Sequence, residues 1–186
     1  MKRHFVLALL ISFLTLSAVQ DAHAGFADDL KYTIAFGLGS AILIAPEGFK
    51  DGYDPSFGLI LDVGAAKNIV EVSGSFDYNF YVSNGVEAND INILTMFLNL
   101  KIKPLDTTVR PYILVCGGYF RSWIVDTGQT ENVLGYGGGA GIEIAISKTQ
   151  NLFIEGKYIQ GRTRETEQKA NTEVLPIRFG VSWSIQ

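Results

Sequence analysis

Counted backwards from the C-terminus, every second residue is apolar: Ile185, Trp183, Val181, Phe179, Ile177 and Leu175. The residues between are Ser184, Ser182, Gly180, Arg178 and Pro176. A strict period of two is the mark of a β-strand with one apolar face. The pattern recurs upstream. Tyr32 to Ala45 sets Tyr32, Ile34, Phe36, Leu38, Ile42 and Ile44 against Thr33, Ala35, Gly37, Gly39 and Ala41. Phe57 to Ala65 sets Leu59, Leu61 and Val63 against Gly58, Asp62 and Gly64. Ile69 to Val82 sets Val70, Val72, Phe76, Tyr78 and Phe80 against Glu71, Ser73, Ser75, Asp77 and Asn79.

Further strands are expected over Ile91 to Lys103, Val109 to Val125, Val133 to Ile146, Leu152 to Gln160 and the closing segment from Leu175. In the fifth of the eight, the run Ile113-Leu114-Val115-Cys116 is apolar on both faces, so its orientation stays open. In the sixth, Gly135, Gly137, Gly139, Gly141 and Glu143 oppose Tyr136, Ala140, Ile142, Ile144 and Ile146. Links after the first, third, fifth and seventh strands are longer and polar, and those after the second, fourth and sixth are mostly tight. This alternation is the habit of outer-membrane barrels, with short turns on the periplasmic side and loops outside. Eight strands are about the fewest that close a barrel and abolish open edges.

A water-soluble barrel of the lipocalin kind also alternates, apolar inward and polar outward. Its polar face would carry many Lys, Glu and Thr, whereas here that face is mainly Gly, Ala and Ser with isolated charges. Small residues suit a narrow lumen. The reading is therefore all-β: an eight-stranded antiparallel up-and-down transmembrane β-barrel, apolar side to lipid. Tyr32, Phe57, Tyr112 and Trp183, near strand ends, are expected in the interfacial aromatic girdles.

The N-terminus adds a compartment. Lys2 and Arg3 precede an apolar run from Phe5 to Leu16, and Ala22-His23-Ala24 supplies an Ala-x-Ala cleavage site. This is a secretory signal peptide over residues 1–24, too short for a span of about 20 apolar residues. One barrel domain is expected over 25–186. The acidic balance, a formal net charge of −4, offers no basic field for nucleic acid. The single cysteine, Cys116, cannot form an internal disulfide and reads as a small apolar strand residue. Both histidines, His4 and His23, fall in the segment to be removed. Most general bases, triads and zinc sites rely on imidazole, so no catalytic, cofactor or metal residue is assigned.

If the polar faces point inward, the lumen gathers Asp62, Glu71, Asp77, Glu143 and Glu155 with Lys101, Lys157 and Arg178. Charges in a narrow barrel must pair, because an isolated buried charge costs several kcal/mol. The expectation is a structural ion-pair plug without a stable aqueous pore, a proton- or ion-handling path being the alternative. Gly135 to Ala140 formally matches the G-x-G-x-x-[GA] dinucleotide pattern, but no helical periodicity follows it. Glycine at alternate strand positions more naturally makes room for bulky lumen partners such as Tyr81, Phe97 or Phe153. The loop acids Asp126, Glu131, Glu165 and Glu167 could form only an all-carboxylate site. Arg162, Arg164 and Lys169 share the last loop with acids and read as solvated, with lipopolysaccharide contact as the second reading.

The mature chain resembles the small outer-membrane β-barrel family, OmpA- and OmpX-type porin-family proteins. The resemblance rests on Val109-Arg110-Pro111-Tyr112, on Gly137-Gly138-Gly139-Ala140-Gly141-Ile142-Glu143, on Leu152-Phe153-Ile154-Glu155 with Tyr158, and on Pro176-Ile177-Arg178-Phe179-Gly180-Val181. These motifs speak for architecture and carry no chemistry. The resemblance implies insertion by the barrel assembly machinery, which reads a last strand ending in an aromatic residue. Here that strand is carried by Phe179, Val181, Trp183 and Ile185, and the chain departs from the pattern by ending in Gln186. Enzymes among such barrels depend on histidine. The expectation is a non-enzymatic, monomeric integral protein of the bacterial outer membrane, loops outside and termini periplasmic, surrounded by lipid and lipopolysaccharide. It would act in envelope integrity, adhesion or surface interaction. The alternative is a barrel that binds or transfers a small apolar ligand or lipid, with a porin-like channel less favoured by size.

Overall fold

A computed structural model describes residues 30–45, 54–83, 90–125, 130–162 and 171–185. The expected signal peptide and most of the charged loop residues lie outside them. Eight strands follow in order: β1 Lys31–Ala45, β2 Phe57–Lys67, β3 Val70–Tyr81, β4 Ile91–Ile102, β5 Val109–Ile124, β6 Thr130–Ala145, β7 Gln150–Arg162 and β8 Asn171–Ile185. Each pairs antiparallel with its neighbours, and β1 pairs with β8 from Tyr32↔Ile185 to Ala45↔Glu173, closing the barrel. Closure satisfies every strand edge. Asn68, at a positive φ of 55°, makes the tight β2–β3 turn, a conformation Asn tolerates better than most residues.

The links after β1, β3 and β7 are the long ones and that after β2 is the tightest. The link after β5 is short because β5 and β6 extend to 16 residues each. Burial alternates along every strand, as in β3, where Glu71, Ser73, Ser75, Asp77, Asn79 and Tyr81 turn inward.

The outer wall is apolar. Leu98 is 64% exposed and Ile113 61%, and Val115, Leu134, Ile154 and Phe179 are likewise more than half exposed. Isolated exposed apolar residues are ordinary on soluble proteins, but a belt continuous over all the strands is not. It is the surface of a barrel solvated by hydrocarbon.

The fifth strand resolves cleanly. Tyr112, Leu114, Cys116 and Phe120 face inward, and Val109, Ile113 and Val115 outward. Tyr112 is therefore no girdle residue. It is buried in the lumen, while Tyr32, Phe57 and Trp183 stay on the outer wall.

The lumen has two unlike halves. Toward the long links, Ala41, Leu43, Tyr81, Ile91, Ile93, Phe97, Cys116, Phe120, Val133, Ile159 and Val174 pack into a hydrophobic core, with the Phe97 and Phe120 rings edge to face at 5.1 Å. Toward the short turns the interior is charged. The glycines of β6 accommodate residues other than those expected. A Cβ on Gly135 would strike Phe120 and one on Gly141 would strike Tyr112, both on the adjoining strand. Phe153 instead sits against Gly180, whose Cβ would lie 2.8 Å from the ring, and against Gly37.

Candidate functional site: charged side chains inside the barrel

Strand parity turns carboxylates of β2, β3, β6 and β7 and cations of β4, β7 and β8 into one space. Asp62, Glu71, Asp77, Lys101, Glu143, Glu155, Lys157 and Arg178 are each at most 5% exposed. Two pairs are direct cross-strand neighbours: Glu71 opposite Lys101, and Glu155 opposite Arg178. Glu155 and Lys157 are neighbours two positions apart on the inward face of β7, and the remaining contacts join strands that are not adjacent.

Arg178 is the central strut. Its Nη1 donates to Glu155 Oε1 at 2.9 Å, and its Nη2 donates to Asp62 Oδ1 at 2.5 Å and lies 3.5 Å from Asp77 Oδ1. A guanidinium offers several donors in a fixed plane, which lets one side chain tie β2, β3 and β7 to β8. Lys101 Nζ stands 3.5 to 3.6 Å from Asp62, Glu71 and Glu155. Lys157 Nζ lies 3.2 Å from Glu155 Oε1 and donates to Asn99 Oδ1 at 3.2 Å. The Asn99 amide in turn donates to Ser73 Oγ at 3.4 Å.

Two members were not among the expected residues. Lys103 Nζ donates to Glu71 Oε2 at 2.6 Å and Glu143 Oε1 at 2.7 Å, bringing Glu143 into the cluster. Tyr112 donates its hydroxyl to Glu155 Oε2 at 2.9 Å, and Lys101 and Lys103 sit 5.4 and 5.9 Å from its ring centroid. Ammonium groups at that range are attracted to the ring face. Both residues could be found by parity: Lys103 is two positions beyond Lys101, and Tyr112 shares a face with Arg110 while Gly141 opposes it across the ladder.

Asp77 is the most loosely held acid, since its Oδ1 has no hydrogen-bond donor and only the 3.5 Å approach of Arg178. The spaces beside the cluster are small. One of about 20 Å³ is lined by Thr33, Asp62, Lys101, Lys103 and Ser182 among others. Another of about 10 Å³ lies between Asp77, Thr95, Tyr81 and Phe120. Each has room for about one water molecule. Among the described residues no group of three or more His, Cys, Asp and Glu side chains is arranged to hold a metal ion.

Phe179, Val181, Trp183 and Ile185 of the closing strand point outward, paired on one side with β1 and, over Phe179 to Trp183, on the other with β7. Trp183 packs its ring against Phe36 of β1 at 6.1 Å.

No protein family profile and no curated protein matches the chain. Among solved structures it is similar to Neisserial surface protein A, at 14% identity over 85% of this chain and 98% of that one, with a TM-score of 0.60. It is similar to a major outer membrane protein from Thermus thermophilus, at 16% identity over 88% of this chain and 100% of that one, TM-score 0.55. It is also similar to Ail, the attachment invasion locus protein of Yersinia pestis, at 18% identity over 83% and 98% of the two chains, TM-score 0.53. At these identities the likeness is one of fold. The chain has the fold of the small eight-stranded outer-membrane barrels.

Proposed function

We propose that this protein is an integral outer-membrane barrel that does no chemistry and acts through its loops, in envelope integrity, adhesion or contact with a surface partner. The observation that carries the reading is the pairing of an apolar outer wall with a lumen that, among the described residues, is packed with side chains. Arg178, Lys101, Lys103 and Lys157 knit the short-turn half together, and an aromatic and aliphatic core occupies the other half. Such an interior serves as a plug that holds the wall rigid and leaves the links between strands as the parts that vary and bind. The absence of histidine after residue 23 supports a non-enzymatic role.

In this reading the long links face outward and both termini face the periplasm. The protein is a monomer, and lipopolysaccharide surrounds its outer rim. The closing strand with Phe179, Val181, Trp183 and Ile185 is what the barrel assembly machinery receives.

Fractionation tests location. The protein is expected in the detergent-dependent outer-membrane fraction and should run faster on a gel unboiled than boiled. Recovery from the periplasm without detergent would sink the reading. Planar-bilayer recording tests the plug, and conductance steps of porin size would refute it. Among the described residues, the spaces beside the charged cluster, of about 20 and 10 Å³, give little room to the alternative of an apolar ligand sheltered inside the barrel.

A further inference from the structure

Among the described residues, four buried side-chain atoms have no hydrogen-bond partner: Ser75 Oγ, Asp77 Oδ1, Thr95 Oγ1 and Arg178 Nε. All four belong to one neighbourhood. Ser75 and Asp77 are successive inward residues of β3, Thr95 stands opposite Asp77 on β4, and Arg178 lies 3.5 Å from Asp77 Oδ1 through its Nη2. Each of the four residues is at most 5% exposed. A buried polar atom left unanswered is costly, and several around one carboxylate point to a ligand that answers them.

A cavity of about 10 Å³ lies against two of these groups. It is lined by the polar Asp77, Asn79 and Thr95 and by Phe120, Ile159 and Val174 of the hydrophobic core. It therefore marks the junction where the charged half of the lumen gives way to the apolar half. Its size admits one water-sized ligand. The chemistry around it chooses which. A cation held by Asp77 and Thr95 would stand beside the Arg178 charge, and an anion would face the Asp77 carboxylate. The unpartnered set comprises a carboxylate acceptor, two hydroxyls that both donate and accept, and an N–H donor, so it suits a neutral ligand able to do both. Asn79, whose carbonyl already accepts from Ser56 Oγ at 3.3 Å, adds amide N–H donors to the lining.

We propose that this junction is a binding site for one internal water molecule, which donates to Asp77 Oδ1 and is held on its other side by the Thr95 hydroxyl. The water hydrates the acid that Arg178 approaches least closely of its three. The lumen can then keep Asp77 without giving it a cation of its own. Thr95 acquires a role that its place in the strand does not explain: it positions the water against the carboxylate opposite.

The sign of one substitution separates a wet junction from a dry one. Thr95→Val keeps the shape of the side chain and removes its hydroxyl. In a dry cavity that deletes an unanswered polar atom, so the urea midpoint of the detergent-folded protein would rise. With water bound it takes away the water's anchor, and the unfolding equilibrium constant is expected to increase roughly tenfold. High-resolution crystals of the wild-type protein should show a water peak within about 3.2 Å of both Asp77 Oδ1 and Thr95 Oγ1. Thr95→Ser should retain that peak and Thr95→Val should lose it. A raised midpoint for Thr95→Val would overturn the site, as would an empty cavity in wild-type crystals that show other internal waters. An anomalous peak there after soaking in rubidium chloride would also overturn it, because the occupant would then be a cation. Folding of each variant is read from its gel shift on heating, and if Thr95→Val does not fold, the wild-type crystals decide alone.

Discussion

Arg178 and Asp62 meet inside the lumen although they stand 116 positions apart in sequence. The guanidinium is 1% exposed and the carboxylate 4%, so neither could be left alone there. Removing one partner of such a pair strands the other without solvent. Arg178→Leu is expected to destabilise the barrel by about 3–5 kcal/mol, read as a fall in the urea midpoint of unfolding from lipid vesicles. The proposed function predicts no matching loss of surface binding at temperatures where the variant stays folded. An unmoved midpoint would mean that the pairing contributes nothing.

Asp77 gives the opposite expectation from a residue of the same class. Its Oδ1 accepts no hydrogen bond from the protein and is approached by Arg178 through the longest of that residue's three contacts, and three other acids already surround Lys101 at 3.5 to 3.6 Å. Asp77→Asn should change stability by about 1 kcal/mol or less, the scale of a single ordinary hydrogen bond. Asp62→Asn should cost several times more. Equal losses would show that the cluster behaves as an undifferentiated pool of charge.

Gly141 and Tyr112 are fitted to each other. A Cβ at 141 would also lie 2.7 Å from the Ile154 carbonyl oxygen, so the backbone cannot easily retreat from it. Gly141→Ala should destabilise by about 1–3 kcal/mol through overpacking. Gly74→Ala, on the open outer wall, should be neutral or slightly stabilising because alanine restricts the unfolded chain. Parallel unfolding curves check both.

Val115 tests the facing of β5 together with the solvent around it. It is 60% exposed on the outer wall. Arginine there would cost about 2–4 kcal/mol near the middle of a bilayer, against about 0.5 kcal/mol or less on a water-facing surface. Vesicle unfolding of Val115→Arg separates these. A neutral result would contradict the lipid-facing wall.

The strands could be read from the sequence because lipid and lumen demand opposite chemistry on alternate positions. Val70 to Phe80, with its Ser, Asp and Asn partners, is the plainest instance. That demand lapses where the lumen is itself apolar. Leu114 and Cys116 face a hydrophobic core and Ile113 and Val115 face hydrocarbon, so both sides of β5 look alike. For the same reason Tyr112 passed for an interfacial ring, since its inward place depends on space left by Gly141 and on a hydroxyl acceptor supplied by Glu155, 43 residues away. The charged residues were legible one by one through parity. Which acid met which base was not, apart from Glu71 with Lys101, Glu155 with Arg178 and Glu155 with Lys157 two positions along β7, because partners on strands that are not adjacent share no ladder.

The supplier of the central cation also has a bearing on assembly. Arg178 comes from the last strand, and its partners Asp62 and Asp77 come from β2 and β3, on the far side of the β1–β8 seam. A sheet of β2 to β7 alone would hold the three lysines of the cluster against five carboxylates. Its charge comes nearest to balance, four cations to five acids, only when the seam zips and the last strand brings its arginine inside. Closure of the circle and neutralisation of its interior are then one event, which penalises half-closed or mispaired sheets by leaving their acids unanswered.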